Sequence, residues 1–81
     1  MIIPIRAQSM RQAEEISGIC QKAKGDLTLR AGRYCVDPRL TMGILAMMYT
    51  APDSTVIDTE DMDGPEAARL REALEPYRAD R

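Results

Sequence analysis

Two spacings of apolar residues alternate along the chain and divide it into seven elements. Ile2, Ile3 and Ile5 mark a first strand over Met1–Arg6. Pro4 brings no N–H to a ladder, which places this strand at a sheet edge or turns the proline nitrogen outward. Ser9 and Gln12 then form a Ser-x-x-Gln capping box. Met10, Ala13, Ile16, Ile19, Cys20 and Ala23 follow at helical spacing until Gly25 closes the helix. Gly18 weakens the middle of that helix by about 1 kcal/mol relative to alanine, so either a neighbour crosses closely there or the chain tolerates a poor residue.

Asp26–Arg30 returns to period two, with Leu27 and Leu29 on the inner side, and Ala31-Gly32 has the length of a tight hairpin into the next strand. From Arg33 to Val36 the alternation puts Tyr34 and Val36 on one face and Arg33 and Cys35 on the other. The period changes at Asp37. Leu40, Ile44, Met47 and Met48 recur every three or four residues, as one apolar stripe of a helix requires. Asp37 is suited to cap its first amides, and Pro38 to its first turn. Tyr49–Pro52 reads as a loop and Ser54–Asp58 as a strand centred on Val56 and Ile57. A last helix opens at Asp63, with Glu66 three residues on, and buries Ala67, Leu70, Leu74 and Tyr77. Pro76 limits its final turn, and Ala79–Arg81 is expected to fray.

The order strand, helix, strand, strand, helix, strand, helix predicts an α+β two-layer sandwich: a four-stranded antiparallel sheet with three helices on one face. Leu27, Tyr34, Ile44 and Leu70 are expected to gather beneath the sheet. At 81 residues the chain has room for one domain, residues 1–81. Hydrophobic residues make up 44% and charged residues 30%, a globular balance, and the net charge of −2 makes no strong demand on a partner.

No apolar run approaches a membrane span, and Met1-Ile2-Ile3-Pro4 lacks the basic head of a signal peptide. The expected location is cytoplasmic. An acidic chain without Phe or Trp and with only three tyrosines offers neither a basic groove nor a stacking platform, which speaks against nucleic-acid binding.

The chain contains no histidine. That removes imidazole general bases and phosphohistidine chemistry. Cys20 and Cys35 have no metal-binding spacing and read as reduced thiols, Cys20 within the helix stripe and Cys35 on the more open strand face. Asp58, Glu60, Asp61 and Asp63 read as a solvated acidic turn, with a hard-cation site as the functional alternative. No cofactor is implied.

The element order, the Ala23-Lys24-Gly25 helix end, and Gly32-Arg33-Tyr34-Cys35-Val36-Asp37-Pro38-Arg39-Leu40-Thr41-Met42-Gly43-Ile44 resemble HPr, the phosphocarrier of the bacterial sugar phosphotransferase system. The resemblance covers nearly the whole chain. It implies the HPr-like sandwich and a surface at the starts of the first and central helices that docks protein partners. HPr carries phosphate on a histidine in a Gly-Leu-His-x-Arg-Pro-Ala sequence, where free amides and the arginine stabilise the phosphoryl group. Counting back from Ala23, Gln12 takes the histidine's place, Glu14 the arginine's and Glu15 the proline's. With a shorter loop, Ser9 or Met10 stands nearest. The family's regulatory serine falls on Leu40, with Thr41 beside it but about 100° away around the helix.

The resemblance therefore implies a protein-binding or regulatory module that has lost phosphocarrier activity and is not an enzyme. Its docking surface would comprise Ser9, Arg11, Gln12, Arg39, Thr41, Met47 and Met48, with the methionines adaptable and the arginines steering an acidic partner. In the bland reading of the same residues, the methionines are core and the arginines merely solvated. Expected partners are phosphotransferase components, a kinase or a transcription regulator. Two alternatives remain: phosphotransfer through a non-histidine acceptor such as Ser9, and a thiol-dependent function at Cys35.

Overall fold

The computed structural model describes residues 1–59, 62 and 64–79. Its elements are β1 (Ile2–Pro4), α1 (Met10–Lys22), β2 (Thr28–Ala31), β3 (Tyr34–Val36), α2 (Thr41–Thr50), β4 (Val56–Asp58) and α3 (Gly64–Ala73), with a 3₁₀ turn over Glu75–Tyr77. The strands form one antiparallel sheet in the order β1-β4-β2-β3, with the three helices on one face. This is the topology of the HPr-like open-faced sandwich.

Register decides which side chains meet the helices. Ile3 pairs with Ile57, Leu29 with Ile57 and with Val36, and Ala31 with Tyr34, so these residues share the covered face. Ile3, Leu29 and Ile57 lie in a core completed by Ala13, Ile16, Cys20, Ile44, Met47, Leu70 and Leu74. Leu27 joins it at the start of β2. Tyr34 does not. It points to the covered side but stands at the end of the outermost strand and is 59% exposed.

The expected hairpin forms, but its turn lies one residue later than Ala31-Gly32: Ala31 ends β2 paired with Tyr34, Gly32 and Arg33 make the turn, and Gly32 takes φ +61, a conformation open to glycine at little steric cost. β1 is an edge strand. Ile5 N donates to Thr55 O and Thr59 N to Met1 O, so odd-numbered residues of this segment face β4 and the Pro4 nitrogen points outward. The outer side of β1 is itself covered. Ala79 N donates to Pro4 O and Arg6 N to Tyr77 O, so the chain from Tyr77 to Ala79 is held to the sheet; Asp80 and Arg81, the rest of the stretch expected to fray, lie outside the described residues.

Asp37 does not cap α2. Its Oδ1 accepts from Arg39 N at 2.9 Å and its carbonyl from Leu40 N at 3.1 Å, closing a tight turn around the fully buried Pro38. Leu40 is extended, and α2 begins only at Thr41. The helix then runs through Tyr49 and Thr50, where the period had suggested a loop. Gly18 has no neighbour within 4 Å of where a Cβ would sit, so the toleration reading holds and no element crosses there. Asp58 belongs to no solvated turn: it is buried in β4 and pairs with Arg30 of β2 at 3.3 Å. Glu60, Asp61 and Asp63, including the expected cap of α3, lie outside the described residues.

Candidate functional site

Ser9 and Gln12 build the start of α1 reciprocally. Gln12 N donates to Ser9 Oγ at 3.2 Å, and Gln12 Oε1 reaches back to accept from Gln8 N at 2.9 Å. The two positions nearest the family's phosphohistidine are thus engaged in holding the helix end. Gln12 also lines a polar cleft of about 160 Å³ with Arg6, Gln8, Tyr77 and Arg78. Both arginines there already have carboxylate partners, Asp53 for Arg6 and Glu75 for Arg78. Partial burial first, and the neighbouring Glu15 carboxylate second, hold the Tyr77 phenol above its ordinary pKa. Glu14 and Glu15 are both exposed.

α2 runs back along α1. Its leading turn meets the middle of α1, where Ser17 Oγ and Gln21 Nε2 donate to Arg39 O at 2.8 and 3.0 Å. Its far end reaches the segment entering α1, where Met48 lines a narrow crevice with Ile5, Arg6 and Ala7. The starts of the two helices are therefore not side by side. Ser9, Arg11 and Gln12 stand at the end of α1 near Met48, while Arg39 and Thr41 stand further along it.

Three expected docking residues change role. Met47 is buried and Met48 half-buried against the core, so this pair is not an exposed contact. Arg39 is half-buried and engaged within the chain: its guanidinium donates to the carbonyls of Ala23 and Gly25 at 3.0 and 2.8 Å, closing the end of α1. Arg11 is exposed and Thr41 half-buried. The core reading thus holds for Met47, while Ser9 and Arg11 remain at the surface.

The spacing argument missed a second apolar stripe on α2. Met42, Leu45, Ala46 and Tyr49 stand at i, i+3, i+4 and i+7, on the side away from Ile44 and Met47. Met42 is 76% and Tyr49 83% exposed, and Leu40, expected in the buried stripe, is 60% exposed just ahead of the helix. The signal was present in the sequence, since a ten-residue helix with one polar-faced side would not carry apolar residues at all four of these positions.

No protein-family model, curated protein or solved structure matches the chain. What the structure shares with HPr is the topology.

Cys20 is fully buried, and desolvation, outweighing the opposing attraction of Arg39, pushes its thiol up to about 12. It is not a nucleophile at neutral pH. Cys35 is exposed on the open sheet face, opposite Arg30 of β2. Among the described residues no group of three acidic or cysteine side chains is placed to hold a metal ion. None of their helices is long and apolar enough to cross a membrane. A larger cleft of about 410 Å³ lies between α1 and α3, floored by Ile19 and Leu70 and rimmed by Lys22 and Arg69, away from the start of α1.

Proposed function

We propose that this chain is an HPr-like protein-binding module that engages partners through α2 and no longer carries phosphate. The observation that supports it is the exposure of Met42, Ala46 and Tyr49, with half-buried Leu45 beside them, on a helix whose opposite stripe already fills the core. A helix that is apolar on both sides leaves one side wanting a partner. Met42 brings an adaptable contact and Tyr49 an aromatic anchor with a polar tip. Met10 is likewise exposed, at the start of α1.

The loss of phosphate carriage is supported by the absent histidine and by the use of Ser9 and Gln12 in the helix cap. The partners that suit this reading are a phosphotransferase component, an HPr kinase or a transcription regulator. Titrating each into the isotope-labelled chain should shift signals from Met42, Leu45 and Tyr49 first. Unchanged α2 signals with all three would count against the reading.

The exposure of Ser9 at the head of α1 favours one second reading, phosphotransfer through its hydroxyl. Incubation with phosphoenolpyruvate and enzyme I, followed by intact-mass measurement, separates the two. Docking alone leaves the mass unchanged, whereas the gain of one phosphate establishes transfer.

A further inference from the structure

We infer that β3 is a self-complementary edge through which two copies of this chain pair antiparallel about Cys35. This goes beyond the docking role of α2 and uses a different surface.

The two edges of the sheet are treated differently. β1 carries Pro4 and is covered by backbone bonds from Tyr77 and Ala79. β3 has no described residue bonded along its outer side, and Tyr34-Cys35-Val36 contains no proline, lysine or bulge, the usual guards of an exposed edge. The hairpin also fixes which groups face outward. A two-residue turn makes Ala31 and Tyr34 the hydrogen-bonded closing pair, so Arg30 and Cys35 oppose one another without ladder bonds. The N–H and C=O of Cys35 therefore point away from β2, ready for another strand.

A two-fold axis at Cys35 pairs each residue with the one whose number completes a sum of 70. Cys35 then faces its own copy across a hydrogen-bonded pair, with Cα atoms about 5.5 Å apart. Tyr34 faces Val36 twice, an aromatic and a β-branched residue on the helix-covered side. Arg33 faces Asp37 twice, opposite charges flanking the centre. Asp37 uses Oδ1 in its own turn, which leaves Oδ2 for the arginine. Tyr34, exposed on this strand, would be shielded in part by the pairing. Any other two-fold register loses the double match of Arg33 with Asp37.

So short an edge buries less than the ~1,000 Å² of a stable specific interface, so the pairing is weak and concentration-dependent. Sedimentation equilibrium from about 10 μM to about 1 mM should show a monomer–dimer equilibrium. Arg33→Glu, which sets two negative charges against Asp37, should weaken it by about tenfold or more. Cys35→Pro should do the same by removing the outward N–H while sparing the bonds to β2. A short bis-maleimide, adding one Cys35 thiol across each double bond, should trap the wild-type dimer. A chain that stays monomeric throughout this range would overturn the proposal. So would a dimer that both variants leave intact while circular dichroism shows them folded.

Discussion

Arg39 donates to the carbonyl of Gly25 at 2.8 Å, and the same nitrogen donates to Ala23 O at 3.0 Å. One side chain, in the turn before α2, thereby satisfies carbonyls at the end of α1. Its own carbonyl is held from α1 by Ser17 and Gln21. The turn and the helix are fastened in both directions.

Replacing Arg39 by alanine should therefore cost about 2 kcal/mol of stability, since two charge-assisted hydrogen bonds are lost at a partly buried site. Arg39→Lys should recover less than half, because the lysine chain is shorter and its ammonium more strongly hydrated. Urea unfolding measures both; a loss below about 0.5 kcal/mol would place Arg39 among ordinary surface residues.

Two glycines should respond to alanine with opposite signs. At Gly43 an added Cβ would lie 2.9 Å from Asp37 O and 3.2 Å from Val36 Cγ2, where α2 presses on the end of β3. Gly43→Ala should destabilise by about 1–3 kcal/mol. Gly18 has no neighbour within 4 Å, so Gly18→Ala should stabilise by about 1 kcal/mol through helix propensity. Thermal melts of the two variants would show whether α2 sits as tightly on β3 as these distances require.

On α2, Met47→Ala removes a buried side chain and should cost about 2–5 kcal/mol. Met42→Ser and Tyr49→Ser, on the exposed stripe, should change stability by no more than about 0.5 kcal/mol while weakening partner binding. A Tyr49→Ser chain that unfolds readily would show that the stripe supports the fold.

The Cys20 thiol is raised to about 12 from 9.0, so the folded state holds this proton more tightly than the unfolded chain. Its stabilising contribution is full below about pH 9 and is lost as the pH rises from there through about 12. Tyr77, also raised, acts in the same direction. Chemical unfolding across this range should show stability falling, less steeply in Cys20→Ala. In the native state at pH 8 a thiol reagent should label Cys35 alone; two labels would mean that α1 opens readily.

The shortest-range patterns were the most legible. Period two and period three-to-four located all four strands and all three helices, because alternation and helical spacing follow from local backbone geometry. The Ser9–Gln12 cap and the Gly32 turn were visible for the same reason. Asp37-Pro38 misled, since its side chain had two uses within reach, a helix cap and a turn, and the turn won once Pro38 was buried and Ser17 claimed Arg39 O.

Long-range placement decided the rest. Tyr34 and Leu40 obey the apolar pattern yet stand in solvent, since β3 is the last strand of the sheet and α2 starts late. The spacing put Ile44, Met47 and Met48 on one stripe expected to face the core, while the resemblance offered the same two methionines as a docking contact; packing buried Met47 and half-buried Met48, leaving Met42 and Tyr49 outside. A sequence sets which residues share a face; which face is covered depends on elements distant along the chain, and that only the tertiary structure decided.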